Sequence, residues 1–385
     1  MRATRQPCNY AVGLDIGGTN IDVGVVDVDG GLVSRIQIPV DRGSSVQGEL
    51  RRVYDAINEA VIRAGVGWSM IGCIGVAAPG TLDLESGVIL HPFNLPGWEN
   101  LPLADLICQR FGKPAVLVND ANAAAFAEYR AGSGRDVESL VLFTLGTGVG
   151  SGIVLRGQLW EGAHGHAGEC GHVIMQHEGG PQSPFGIHGS LELYVGARAV
   201  VRRCEERLRA GRSSALRAYL SKQMISAGAA ISAEAIATAA DEGDALAVEL
   251  ILETADYLAV GAVSVIHVLN PEMILLGGAM TFGRHSTNIG QQFMQRFREQ
   301  VTRQTFAIPG ERTIVEYAAL GSDGGVIGAA TWAVERLLQR TFAPAERAVN
   351  GSHFARHSSR NGAQDMPAQQ LRMERPVEAA AAAAE

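Results

Sequence analysis

A glycine-rich turn after Asp15 carries residue types that suit phosphate chemistry. Asp15 follows an apolar run and precedes Gly17, Gly18 and Thr19. A carboxylate beside bare backbone amides and a hydroxyl group can hold hydrated Mg²⁺ and face phosphate oxygens. An ordinary Gly-Gly hairpin is the alternative interpretation. The segment therefore predicts a first phosphate site, in which Asp15 orients Mg²⁺ through water.

A second glycine-rich turn, TLGTGVGSG at residues 144–152, separates two further apolar runs. Its alternating glycines, Gly146 and Gly148 among them, remove side-chain bulk and leave backbone N–H groups available to an anion. The spacing matches neither the P-loop nor the dinucleotide-binding pattern. A third pair, Gly277 and Gly278, ends another apolar run where a flat adenine could lie on the backbone. A plain strand-to-helix turn explains that pair equally well.

The acidic residue Asp120 follows a short apolar run and precedes an alanine-rich segment. A carboxylate at the end of a strand can accept the proton of an attacking hydroxyl group, as positioned bases do in phosphoryl transfer. The alternative is that Asp120 only caps the helix that begins near Asn122.

Strands and helices that must position these residues follow from the hydrophobic periodicity. The predicted strands are 10–16, 21–26, 31–38, 70–77, 115–118, 139–145, 151–155 and 273–276. The predicted helices are 46–64, 122–131, 191–208, 233–241, 245–269, 287–303 and 324–338, and a loop-rich stretch covers 156–190. The strand and helix order begins twice, which predicts an α/β protein with two layered lobes, 1–131 and 132–348. Residues 349–385 lack an amphipathic period, which predicts a disordered tail.

Composition excludes several classes of protein. The chain has 385 residues, 40 acidic against 32 basic side chains and 46% apolar residues. A net charge of −8 disfavours binding to nucleic acid and to anionic membranes. The sequence lacks an apolar run of about 18 residues, so it does not predict a transmembrane helix. Five scattered cysteines and the absence of a signal-peptide pattern predict a cytoplasmic protein with reduced thiols.

Together the motifs resemble the ROK family of sugar kinases, repressors and related open reading frames. The resemblance runs from about residue 12 to 333 and rests on DIGGTN (15–20), VAAPG (76–80), HPFNLPGW (91–98), VNDANAAAFAE (118–128), TLGTGVGSGI (144–153), GHAGECGH (165–172), LLGGAM (275–280) and LGSDGGVIGAA (320–330). It implies two ribonuclease-H-like, actin-like ATPase lobes with the active site in the cleft between them. It also implies ATP-dependent phosphorylation of a hexose, first of all glucose, on the 6-hydroxyl, and a homodimer that pairs through the C-terminal lobe.

The resemblance assigns roles residue by residue. Asp120 is the expected general base. The expected sugar contacts are Gly80, Asn94, Asn119, Glu169, His172 and Glu192. The expected contacts to ATP and Mg²⁺ are Asp15, Gly17, Gly18, Thr19, Asn20, Gly146, Thr147, Gly148, Gly277 and Gly278. Glu192 as a solvated helix-start carboxylate and His172 as an ordinary turn histidine are the alternatives. Some relatives carry Lys at the position of Asn20, and because Asn is uncharged, Mg²⁺ must neutralise more of the phosphate charge.

One departure concerns zinc. Many family members have three cysteines and a histidine before the glutamate that corresponds to Glu192, and these hold a structural Zn²⁺. The cysteine positions are here Ser183, Phe185 and Ser190, so the usual site cannot form. The nearby residues that could supply a substitute site are His164, His166, Cys170, His177 and His188. We expect them to be ordinary loop residues and the protein to hold no structural zinc.

The resemblance leaves alternatives open. The substrate could be N-acetylglucosamine, N-acetylmannosamine, fructose or allose, since these differ from glucose by one substituent or stereocentre. The protein could be a catalytically silent sugar-binding regulator, and the phosphate donor could be polyphosphate. A sugar-sensing repressor of the family is disfavoured, because the first phosphate strand begins near residue 10 and leaves no room for a winged helix-turn-helix. Glycine makes up 47 of the 385 residues. The resemblance places around ATP a group of glycines at the first turn that includes Gly13 and Gly24.

Overall fold

Twelve strands and ten α-helices lie within the described part of the chain, residues 9–92, 95, 97–183, 186–220 and 230–342 of a computed structural model. The strands are β1 (Tyr10–Ile16), β2 (Asn20–Asp27), β3 (Leu32–Pro39), β4 (Ile71–Ala78), β5 (Thr81–Asp83), β6 (Val88–His91), β7 (Ala115–Asn119), β8 (Leu140–Leu145), β9 (Val149–Leu155), β10 (Gln158–Leu159), β11 (Met273–Gly277) and β12 (Ile314–Tyr317). The helices are α1 (Val46–Arg63), α2 (Leu103–Phe111), α3 (Asp120–Ala131), α4 (Glu192–Val195), α5 (Ala197–Arg209), α6 (Ala233–Asp241), α7 (Ala245–Leu269), α8 (Asn288–Gln304), α9 (Ala307–Arg312) and α10 (Gly324–Phe342).

Two five-stranded sheets share one strand order. The first sheet runs β3-β2-β1-β4-β7 and the second runs β10-β9-β8-β11-β12. In each, three strands pair antiparallel and two further strands join in parallel. This repeated order is the ribonuclease-H-like, actin-like arrangement, and it confirms the predicted fold class. The boundaries 1–131 and 132–348 remain a prediction.

Helix α1 illustrates why the predicted elements form. Ser45 caps the helix by accepting a hydrogen bond from the Gly48 N–H at 3.2 Å, a contact typically worth about 1 kcal/mol. Val53, Ile57 and Val61 recur at helical spacing and are buried against the first sheet. Burial of this apolar face rather than helix propensity holds α1 in place.

Helix α10 crosses the first sheet at two glycines. A Cβ atom at Gly13 of β1 would overlap the carbonyl oxygen of Val326, and one at Gly75 of β4 would overlap that of Ala329. Close approach of a helix backbone to two neighbouring strands therefore requires glycine in both.

Glu128 on α3 holds the two chain segments that connect the sheets. Its buried carboxylate accepts hydrogen bonds from the Ser133 N–H at 2.9 Å, the Ala319 N–H at 3.1 Å and the Leu320 N–H at 2.7 Å. Ser133 precedes β8 and the other two residues follow β12, so one side chain ties both connections together.

Several elements differ from the predictions. Helix 191–208 is interrupted at Gly196 and forms α4 and α5. The short pair β5 and β6, the helix α2 and the edge strand β12 were not predicted. The predicted tail, 349–385, lies outside the described residues. Within the described residues, the helices include none with the length and apolar character needed to cross a membrane.

Candidate functional site

A cavity of about 860 Å³ opens beside the ends of β7 and β8. Predicted site residues that line it are Gly80, Asn119, Asp120, Gly146, Thr147, Gly148, Glu169, His172, Glu192 and Gly278. They come from both sheets and from the loop before α4, so the fold brings together residues that are far apart in sequence. The predicted sugar contact Asn94 lies outside the described residues.

Asp120 is the first residue of α3 and is exposed to this cavity. The helix cap is Asn119, whose side-chain oxygen accepts hydrogen bonds from the Ala121 N–H at 3.0 Å and the Asn122 N–H at 3.2 Å. One carboxylate oxygen of Asp120 also accepts from the Ala121 N–H, at 2.8 Å. Desolvation by the surrounding protein raises the pKa of Asp120, while the hydrogen bonds from Ala121 and Asn119 act to lower it. The carboxylate is thus oriented by the backbone and faces the cavity, as a base must.

Asp15 is the penultimate residue of β1 and is half-buried near Asp120. Burial raises the pKa of Asp15 to about 7, with the negative charges of Asp120 and Asp22 acting in the same direction and the Arg35 guanidinium opposing them. A cation would relieve this concentration of negative charge. Magnesium in phosphate-binding sites typically uses one or two carboxylates, with water and substrate oxygens completing its shell. The carboxylate donors here fit that pattern.

The first glycine turn closes tightly next to Asp15. The Gly17 N–H donates to the Asn20 carbonyl oxygen at 2.9 Å, and Thr19 is exposed at the tip. Arg42 lies alongside and donates to the Gly18 carbonyl oxygen at 3.1 Å. These residues lie at the same end of β1 as Asp15, outside the lining of the cavity.

Helices α4 and α5 hold the second glycine turn. The Glu192 carboxylate accepts a hydrogen bond from the Val149 N–H at 3.0 Å, and the Ala197 N–H donates to the Gly146 carbonyl oxygen at 2.9 Å. A Cβ atom at Gly148 would overlap the Glu192 carboxylate. Glu192, predicted only as a sugar contact, therefore also fixes the turn.

Glu169 and His172 form a further wall of the cavity. The His172 Nε2 atom lies 3.9 Å from a Glu169 carboxylate oxygen. Burial raises the pKa of Glu169, whereas the neighbouring His172 acts to lower it. The His172 Nδ1 atom is buried and, among the described residues, has no hydrogen-bond partner. This wall offers acceptors and an imidazole to a ligand rich in hydroxyl groups.

A second cavity of about 610 Å³ adjoins the first, and Gly146, Thr147 and Ala279 line both. Its further lining includes Glu234, Thr238 and Asp241 of α6, which sequence reasoning did not single out. These polar residues are spaced to lie on one face of the helix, and this spacing was the sequence signal that could have identified them. Gly278 has a φ of 88° and holds the backbone against Leu145. Gly277, predicted with it, is buried and lines neither cavity.

The residues at the zinc positions do not fit zinc. Ser183 forms a turn instead: its N–H donates to the Ile187 carbonyl oxygen at 2.8 Å, and its hydroxyl accepts from the Ile187 N–H at 3.1 Å. Ser190 is buried, and Phe185 lies outside the described residues. Structural zinc needs thiolate or imidazole ligands, and hydroxyl groups do not replace them. The described residues contain no group of three or more His, Cys, Asp or Glu side chains placed to hold a metal ion.

Comparisons with known proteins show the family of the chain. A model of the ROK family matches residues 11–336. The chain is 32% identical over 328 residues to a glucokinase from Thermotoga maritima, covering 85% of this chain and 98% of that protein. It is 32% identical to an N-acetylmannosamine kinase from Yersinia pestis, over 83% and 97% of the two chains. A ROK family glucokinase from Streptomyces griseus, solved with glucose and AMPPNP, is 30% identical with a TM-score of 0.68, covering 85% and 99%. The chain therefore belongs to the ROK family.

Proposed function

We propose that the protein is an ATP-dependent hexokinase that transfers the γ-phosphoryl group to the 6-hydroxyl of glucose. The observation that carries the proposal is the single cavity that joins Asp120, the Gly146–Gly148 turn and the wall of Glu169 and His172. The similarity to the Thermotoga maritima and Streptomyces griseus glucokinases supports glucose as the substrate. The equal identity to an N-acetylmannosamine kinase makes a related hexose the alternative substrate.

Asp120 is the general base in this mechanism. Its carboxylate accepts the proton of the 6-hydroxyl while the hydroxyl oxygen attacks the γ-phosphorus and the bond to the bridging oxygen of ADP breaks. Desolvation raises the pKa of Asp120 above the ordinary carboxylate value, which makes its ionised form a stronger base.

Backbone amides and Mg²⁺ share the phosphate charge. The Gly146 N–H donates to the Gly148 carbonyl oxygen at 3.0 Å and closes the turn, which the contacts from Ala197 and Glu192 hold in place. The N–H groups of Thr147 and Gly148 are thereby preorganised, so they need no rearrangement when charge develops. When bound near Asp15 through water, Mg²⁺ supplies positive charge to the phosphate oxygens.

Glu169, His172 and Glu192 bind the sugar in this proposal. One carboxylate oxygen of Glu192 accepts a hydrogen bond from the Val149 N–H, and the other oxygen can accept one from a sugar hydroxyl. Hydrogen bonds from hydroxyl groups to a carboxylate are charge-assisted and stronger than neutral ones. A ligand lacking the matching hydroxyl would leave these groups without partners.

Replacement of the base tests the chemical step. We expect Asp120→Ala to lower kcat by about 10²- to 10⁴-fold, because a positioned base contributes that much. Glucose binding, measured by calorimetry, should persist. Asp29→Ala, which removes an exposed carboxylate from the β2–β3 turn, is the matched control and should leave kcat unchanged. Near wild-type turnover in Asp120→Ala would show that the base is assigned to the wrong residue.

A panel of hexoses tests the substrate. ADP release is measured at fixed Mg-ATP with glucose, N-acetylglucosamine, N-acetylmannosamine, fructose and allose. The proposal expects the highest kcat/KM for glucose. A higher kcat/KM for another hexose would identify that hexose as the substrate. Absence of ADP release with all five sugars would contradict kinase activity.

A further inference from the structure

The larger cavity is lined by more carboxylates than guanidinium groups. Its described lining residues include three carboxylates, Asp120, Glu169 and Glu192, and two guanidinium groups, Arg198 and Arg202. An anionic phosphate donor that enters a cavity with three carboxylates is repelled unless cations offset them. The uncharged Asn20 supplies none at the first turn.

The two arginines differ in what they already bind. Arg202 donates to the Leu193 carbonyl oxygen at 3.1 Å and lies 3.7 Å from the Glu206 carboxylate. Arg198 is exposed, and within the described part of the chain its side chain has neither a hydrogen bond nor an ion pair. Its five N–H donors are therefore available to a ligand in the cavity.

The position of Arg198 relative to the phosphate turn is fixed by its neighbours. The adjacent Ala197 N–H donates to the Gly146 carbonyl oxygen at 2.9 Å. A Cβ atom at Gly196 would lie 2.8 Å from the Thr147 carbonyl oxygen, so the start of α5 lies directly against the turn. Arg198, in the first turn of α5, thus begins next to the backbone amides that would face the donor.

We propose that Arg198 is a catalytic residue that binds the terminal phosphate of the donor and stabilises its charge during transfer. A guanidinium group matches phosphate oxygens with paired hydrogen bonds, whereas a neutral hexose offers no charge to it. Arg198 donates hydrogen bonds only, and no bond to it forms or breaks. The inference rests on the proposed function, which supplies the reaction.

The kinetic test compares two arginines of one helix. Arg198→Gln should lower kcat/KM for ATP by about tenfold to a hundredfold, the usual value of a charged hydrogen bond, and leave the dissociation constant for glucose unchanged. Arg209→Gln removes the same charge from α5 outside the cavity, where Arg209 pairs with Glu205 at 2.7 Å, and should leave the kinetics unchanged. Arg198→Lys should restore part of the loss. An unchanged kcat/KM in Arg198→Gln, or a change confined to KM for glucose, would overturn the assignment.

Direct binding separates this inference from the proposed function. Mg-AMPPNP and AMP are titrated against wild type and Arg198→Gln, and the expected result is a loss of about tenfold for AMPPNP with AMP unaffected, because AMP lacks the outer phosphates. Equal AMPPNP affinity in both proteins contradicts the role of Arg198 even if the wild type phosphorylates hexoses. If Arg198→Gln weakens AMPPNP and no hexose is phosphorylated, the role in phosphate binding stands and the proposed function fails. Arg42→Gln, at the first turn, would show the larger loss if Arg42 supplied this charge instead.

Discussion

Glycine serves different purposes in the first sheet and in the second glycine turn. Gly13 and Gly75 lie under α10, where a Cβ atom would overlap backbone carbonyl groups. At Gly146 a Cβ atom would have no neighbour within 4 Å, and at Gly148 its nearest neighbours would be atoms of the Glu192 side chain. The first set of glycines permits backbone packing. In the turn, Gly146 leaves open space and Gly148 leaves room for the Glu192 carboxylate.

This difference explains why glycine content alone does not locate a ligand. Gly13 and Gly24 were grouped with the ATP site by resemblance, yet a Cβ atom at Gly24 would lie 2.8 Å from the Val326 side chain. Both residues therefore contact α10, and neither lines a described cavity. Three substitutions test the distinction through stability and through kinetics.

The packing glycine should give the largest effect. Gly75→Ala places a methyl group against the Ala329 carbonyl group, so α10 or β4 must move, and we expect a loss of about 3 kcal/mol in the free energy of unfolding, the upper part of the usual cost of overpacking. Urea denaturation measures this loss, with Gly146→Ala as the matched control. Equal unfolding free energies for the two variants would contradict the packing role.

Gly148→Ala should affect activity more than stability. The added methyl group displaces a flexible carboxylate rather than backbone, and the Val149 N–H then loses a charged acceptor. We expect kcat/KM for both ATP and glucose to fall by about tenfold or more, since such a hydrogen bond is typically worth about 1.5–3 kcal/mol. Steady-state kinetics measure the fall, and Glu192→Gln, which keeps an oxygen acceptor, should lose less. Full activity in Gly148→Ala would mean that the contact between Glu192 and the turn is dispensable.

The smallest effect is expected at Gly146. Gly146→Ala adds a methyl group to open space, so the free energy of unfolding should stay within about 0.5 kcal/mol of wild type. If donor phosphate lies against this turn, the added methyl group occupies its space, and KM for ATP should rise by about tenfold, a cost of about 1.4 kcal/mol. A variant with unchanged stability and unchanged KM for ATP would place the donor away from Gly146.

Much of the fold followed from local patterns. Strands 10–16 and 139–145 were predicted nearly to the residue, because alternating and continuous apolar runs bounded by turns are local signals. The break at Gly196 was missed, because the apolar spacing continues through it and only the contact with Thr147 requires the glycine. The sequence offered Asp120 as the alternative cap of α3, whereas the structure has Asn119 in that role. Asn119 and Asp120 are both good capping residues, and the backbone conformation decides between them.

The amino-acid sequence by itself determined the fold class and the identity of the chemical groups, including Asp15, Asp120 and both glycine turns. Those features depend on residue type and on short spacings that any chain of this pattern shares. Only the tertiary structure decided that Gly13 and Gly75 lie under α10, that Glu192 holds the Val149 N–H, and that Arg198 lines the cavity without a described partner. These contacts join residues as many as 313 positions apart, such as Gly13 and Val326. Their formation depends on how the helices pack on two sheets, which local periodicity does not encode.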